Sequence, residues 1–136
     1  MKATEVLKAE HEGIKLMLRI LDKVYDKLNS TKELNRENFI NILEFLKVFA
    51  DKCHRGKEED LLFPAMVEAG VSKEGGPIGV MLMEHSQGRE YIRGMSEAFE
   101  RFKNGNREAS AKIAENAKNY IALLTEHIDK ENNILF

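Results

Sequence analysis

Apolar residues recur in steps of three and four over four stretches of the 136-residue chain, the spacing of one buried helical face. The first stretch runs from about Thr4, a predicted N-cap, to Leu28, with the stripe Leu7, His11, Ile14, Leu18, Leu21, Tyr25 and Leu28. Asn29-Ser30-Thr31 ends it. The second starts near Asn35 and carries Phe39, Leu43, Leu46, Ala50, His54, Glu58 and Leu61. Pro64 is predicted to break or kink it, because proline lacks the amide and clashes with the preceding turn. A short helical piece from Pro64 to Ala69 and a loop over 70–76 follow. The third opens near Pro77, a residue suited to a first turn, and its stripe is Ile78, Leu82, His85, Gly88, Ile92, Met95, Phe99 and Phe102. Lys103-Asn104-Gly105 stops it, and Asn106 caps a fourth that carries Ile113, Ala117, Tyr120, Leu124, His127, Glu131 and Ile134. Long amphipathic helices with short connections predict an all-α fold, an antiparallel up-down-up-down four-helix bundle forming one domain over residues 1–136.

Each stripe carries one histidine, and these four are all the histidines in the chain. Two of them open an H-x3-E pair, His54–Glu58 and His127–Glu131, which places imidazole and carboxylate on one face, a turn apart. Their levels match. His11 lies 17 residues before the end of the first helix and His54 about 19 after the start of the second. His85 lies about 18 before the end of the third and His127 about 21 after the start of the fourth. At about 1.5 Å per residue, antiparallel neighbours then meet within roughly one turn. The segment His54–Phe63 also aligns with His127–Phe136 at an offset of 73, and Glu10-His11 with Glu84-His85 at 74. The chain therefore reads as two pseudo-symmetric helical hairpins, each giving one lone histidine and one H-x3-E.

A single histidine on an apolar stripe is commonly a satisfied core residue. Four histidines and two glutamates at one level of one core are not, because an unpaired buried carboxylate is very costly. Six nitrogen and oxygen ligands exceed a closed four-ligand zinc site. Two histidines per metal and two bridging glutamates predict two metal ions, with room for an oxo or hydroxo bridge and an open position. Such a donor set suits iron or manganese.

These motifs are similar to those of the hemerythrin-like (HHE cation-binding) family. The likeness lies in Cys53-His54-Arg-Gly-Lys-Glu58-Glu-Asp-Leu-Leu-Phe-Pro64, Glu84-His85-Ser-Gln-Gly-Arg89 and Glu126-His127-Ile-Asp-Lys-Glu131-Asn-Asn-Ile-Leu-Phe136, and covers essentially the whole chain. The resemblance implies a non-haem di-iron centre with His11, His54, His85 and His127 as terminal ligands and Glu58 and Glu131 as bridges. The oxygen-carrying members have a fifth histidine where this chain has Arg89, and an aspartate five residues after the last histidine where it has Asn132. The four-histidine, two-glutamate set instead resembles the di-iron domain of repair-of-iron-centres proteins. That implies a more open cluster, which binds, senses or handles dioxygen, nitric oxide or iron. The alternatives are a di-iron enzyme reducing peroxide, oxygen or nitric oxide or repairing iron centres, and a metal-stabilised interaction module.

Composition narrows the partners. A net charge of −2 with both signs interspersed predicts neither a nucleic-acid footprint nor a membrane-surface patch. The lone Cys53 excludes an intrachain disulfide, no apolar run approaches a membrane span, and the charged start MKATEVLKAEHEG is unlike a signal peptide, so the cytoplasm is the expected location. The expected partners are a small diatomic or peroxide ligand and a redox protein; the oligomeric state is open. Gly88 on the core stripe either leaves space for a ligand channel or, more commonly, permits close packing. Tyr120 reads as a core tyrosine or a redox one, and Cys53 as packing or as redox-active. Glu10, Glu84 and Glu126 each precede a histidine; they read as solvated or salt-bridged, with bonding to ligand imidazoles the rarer role. Glu59 and Glu90 read as surface charges, and Met17, Met66, Met81, Met83 and Met95 as core filler.

Overall fold

The computed structural model describes residues 3–31, 33–71 and 76–135. Four long helical runs form the bundle, and no strand occurs among the described residues. The first run is α1 (Ala3–Thr31). The second is assembled from α2 (Arg36–Phe45), a π-helical stretch π1 (Leu46–Arg55), a second one π2 (Glu58–Leu62) and α3 (Phe63–Glu68). The third is α4 (Pro77–Lys103), and the fourth is α5 (Ala109–Lys130) continued by π3 (Glu131–Leu135). α1 packs on α5 and π1, and α4 packs on α5 and π1, so the four runs stand at the corners of a square.

The ends are set by local chemistry. Asn35 Oδ1 accepts from the Asn38 amide at 3.1 Å, satisfying a donor that a helix start leaves unpaired; Asn106, expected to cap the fourth helix, instead accepts from the Glu108 amide at 3.1 Å in the turn before α5, whose N-cap is Glu108 without a side-chain bond. Gly105 closes α4 with φ 99°, a left-handed conformation that suits glycine. Thr4 falls inside the first turn of α1, which begins at Ala3, and is not its cap. The side chain of Ile134, Phe136 and loop residues 72–75 lie outside the described residues.

Pro64 does not break the second run. The turn before it is π-helical, with the Phe63 amide bonded to Glu58 O, five residues back. That wider turn absorbs the position where proline offers no amide, and Pro64 sits in the first turn of α3. It also corrects the stripe. In an α-helix Leu61 would follow Glu58 on the buried face; in a turn closed five residues apart, Phe63 does. Leu61 is 68% exposed, whereas Phe63 is 3% exposed.

The rest of the stripes are as expected. Leu21, Leu28, Phe39, Leu46, Met95, Ala98, Ile113 and Ala117 form the main core, with Phe39 and Phe99 edge to face at a ring separation of 5.0 Å. Phe63, Ile78 and Met81 make a smaller apolar cluster towards the other end. Met83, expected inside, is 66% exposed, and Cys53, expected to pack, is exposed. On the second and third runs the histidine level lies between the long core and the small cluster, and on the first it lies between the long core and buried Leu7.

Candidate metal centre

The six sequence-predicted ligands converge on that level. His11, His54, Glu58, Glu131 form one group and Glu58, His85, His127, Glu131 another, with the ligand atoms of each within 4.8 Å of one another. The two glutamates belong to both. Glu58 divides its oxygens: Oε2 lies 3.5 Å from His54 Nε2, and Oε1 lies 2.9 Å from His85 Nε2. Glu131 Oε1 stands 3.1 Å from His11 Nε2 and 3.2 Å from His127 Nε2, one histidine of each group. The rings pair accordingly, His11 with His54 at 4.6 Å between centroids and His85 with His127 at 4.8 Å.

Burial makes this cluster chemically demanding. His11, Glu58 and Glu131 are 0% exposed. His54 Nε2, His127 Nε2, Glu58 Oε2 and both oxygens of Glu131 are buried with no hydrogen-bond partner of sound geometry. Buried polar atoms are nearly always satisfied, and each orphan costs about 1–3 kcal/mol. Several orphans aimed at two shared points fit cations that would take all of their lone pairs together. The donor set therefore fits a pair of metal ions.

The outer ring nitrogens explain how the imidazoles are held. His54 Nδ1 lies 2.9 Å from Glu10 Oε1, His85 Nδ1 2.8 Å from Glu59 Oε2, and His127 Nδ1 2.9 Å from Glu84 Oε1. A carboxylate can only accept, so each Nδ1 carries the proton and each Nε2 turns its lone pair inwards. His11 Nδ1 lies 2.8 Å from Asn132 Oδ1. Lys57 bonds Glu10, Lys130 Nζ donates to Glu84 at 2.9 Å, and Arg55 donates to Glu59 at 3.1 Å.

These contacts set the charges. Burial pushes Glu10, Glu59 and Glu84 up, but Lys57 with His54, His85 with Arg55, and Lys130 with His127 outweigh it and hold all three below the ordinary carboxylate value. Burial pushes His54 down, yet Glu58, Glu10 and Glu131 leave it raised; His127 is raised against the same burial by Glu131, Glu84 and Glu58. Burial likewise pushes Glu131 up, and His11 with His127 more than reverses it.

Sequence reasoning misses two outer partners, Glu59 and Asn132, and gives imidazole bonding by Glu10 and Glu84 only as their rarer role. Glu10 and Glu84 hold ligand imidazoles as well as forming salt bridges, and Glu59 is no free surface charge. By sequence Asn132 shows only as the place of a missing aspartate. The repeat carried the signal: Glu10 aligns with Glu84 at an offset of 74, and Glu59 with Asn132 at 73. Glu126 is exposed, and Glu90 pairs with Arg93 on the surface.

A cavity of about 30 Å³ lies beside the second group, lined among others by His85, His127, Gly88, Arg89 and Tyr120. A Cβ on Gly88 would meet Leu124 and Tyr120 at 3.6 Å, an ordinary contact, so close packing does not demand glycine there. Tyr120 is a buried core residue whose phenol is pushed well up by burial and by Asp51. Arg89 is exposed and bonds Ser86, so it stands at the surface end of the lining.

No helix among the described residues is long and apolar enough to cross a membrane. Neither the curated proteins nor the solved structures contain a significant match to this chain. Its comparison with known families matches residues 2–136 to the Hemerythrin HHE cation binding domain. With six metal-ligand candidates gathered on four helices and a match spanning the whole fold, the chain belongs to the hemerythrin HHE cation-binding family.

Proposed function

We propose that this protein is a non-haem di-iron protein that binds, senses or handles dioxygen, nitric oxide or iron in the bundle core. The observation that carries the reading is the sharing of Glu58 and Glu131 between two four-ligand groups. Bound iron would supply the affinity for small diatomic ligands and the redox chemistry. The chain's own residues do the rest. Glu58 and Glu131 bring two negative charges to a site that is otherwise imidazole. Glu10, Glu59, Glu84 and Asn132 fix the ring orientations. Phe63 lies parallel to His85 at 6.0 Å and, with Ile78 and Met81, closes the site against water on that side.

The cavity beside His85 and His127 has room for one water or one diatomic molecule, which supports a small ligand and argues against an organic substrate. Tyr120 on the cavity wall supports the second reading, an enzyme that reduces peroxide, oxygen or nitric oxide or repairs iron centres. An enzyme of that kind needs an electron donor, and turnover with a donor present separates it from stoichiometric binding. Cytoplasmic residence belongs to the same proposal.

Anaerobic reconstitution with ferrous iron tests the leading reading. The expected result is about two ions per chain, as for other carboxylate-bridged bundle sites, and an absorption change on adding dioxygen or nitric oxide. Fewer than about one and a half ions, or an unchanged spectrum, sinks it.

A further inference from the structure

The two metal positions have matching inner ligands and unlike surroundings. His54 and His127 are equivalent by the repeat, and each is backed by a carboxylate, Glu10 or Glu84, that is in turn bonded to a lysine, Lys57 or Lys130. His11 and His85 are equivalent too. Their outer partners, Asn132 and Glu59, also occupy equivalent positions, but one is a neutral amide and the other a carboxylate. Arg55 balances Glu59, and Asp51, 2.7 Å from Arg55, balances Arg55. The Asp51–Arg55–Glu59 chain by itself carries one net negative charge beside His85, with exposed Arg89 at the surface end of the same lining. The positions aligned with Asp51 and Arg55 in the other hairpin are Leu124 and Ile128, both uncharged.

We infer that Glu59 and Asn132 are positioning residues that make the two metal positions unequal, so that the His85–His127 position fills before the His11–His54 position. The inference rests on the two-metal reading above. An imidazole whose Nδ1–H is held by a carboxylate is a stronger donor than one held by an amide, and an added negative charge draws a cation more strongly. Outer partners of this kind are worth about 10- to 100-fold in metal affinity, so a gap of that order separates the positions. Both partners orient their ring equally well, at 2.8 Å in each case, which leaves charge as the difference.

Ferrous ion alone, titrated anaerobically into the metal-free chain, tests this by calorimetry, with histidine ring signals followed by nuclear magnetic resonance. The first equivalent is expected to perturb His85 and His127 and the second His11 and His54. Glu59→Gln keeps an acceptor for the ring and removes the charge; it should weaken the first site by about 10-fold or more and close most of the gap. Asn132→Asp adds the charge on the other side and should close the gap by strengthening the second site. The variants act from opposite sides, so a folding defect in one leaves the other decisive. Two ions bound with equal affinity and no order among the histidines overturn the inference while leaving the di-iron reading intact. So does a gap that neither substitution narrows. A single ion per chain overturns both.

Discussion

The long apolar core and the histidine level beside it are built on the same four helices and obey opposite rules. Around Phe39, Phe99 and Ile113 every buried side chain finds what it needs in its neighbours, so this layer holds the bundle together without help. Around Glu58 and Glu131 several buried polar atoms have no hydrogen-bond partner, so that layer is completed only from outside the chain. Fold and site are therefore separable: the apolar layer stabilises the bundle, and the histidine level is held in place at its expense.

Substitutions at the two levels should therefore fail in different ways. The largest effect is expected for Phe39→Ala, which empties a fully buried site of the apolar layer and should cost about 3–5 kcal/mol in metal-free and metal-loaded protein alike. Denaturant unfolding of both forms checks it, and a loss confined to the loaded form would contradict the separation. Next comes Glu58→Ala, which removes the carboxylate whose oxygens serve both positions. Ferrous ion at about 100 times its dissociation constant should add about 2.7 kcal/mol to the native protein and nothing comparable to the variant. Thermal melts with and without the metal read this directly.

A smaller effect follows from pH. His54 and His127 are raised in the folded chain, so the stability they contribute to the metal-free protein is complete below the unfolded value of about 6.5 and is lost as pH rises through their folded values. The same protons must leave before a metal binds, so metal affinity should climb over the same window. Melts and metal titrations between about pH 6 and 9 should then show opposite slopes; parallel slopes would mean that these histidines are not the ligands. The smallest effect is expected for Gly88→Ala. Its Cβ meets only ordinary contacts, so helix stability should rise by about 0.5–1 kcal/mol, while the narrowed cavity slows small-ligand binding in stopped-flow traces. Unchanged rates would show that ligands reach the site by another path.

Much of this was legible in the sequence because a helix converts spacing into direction. Alternating steps of four and three mark the buried faces of α1, α4 and α5, and matching levels bring the six candidate ligands to one place. The second run was harder. Its stripe advances by fours from Leu46 through Ala50 and His54 to Glu58, and in an α-helix three such steps drift by about 120°. A π-helix takes more residues per turn and keeps that series on one side, which is where π1 lies. The run of fours was therefore the visible trace of π1, and Leu61 was misplaced by applying an α-helical step beyond it. The outer partners were illegible for another reason. Glu59 and His85 sit on different runs, and no spacing within one helix says how far its neighbour is rotated. Cys53 flanks buried His54, and a small rotation decides which side of that edge faces water; Met83 follows buried Met81 by two residues, about 200° around the helix, so the two cannot share the buried face.

The offsets of 73 and 74 residues have a further consequence. One hairpin with a lone histidine and one H-x3-E is half of a centre, and two copies of such a hairpin, associating as separate chains, would complete it. In such a dimer every residue would occur twice, and the halves would be bound to be identical. A covalent joining of the copies lifts that constraint: each half can change while the other keeps its residue. Glu59 and Asn132, aligned in the repeat and chemically unlike, are a place where this chain has used a freedom that no symmetric dimer possesses.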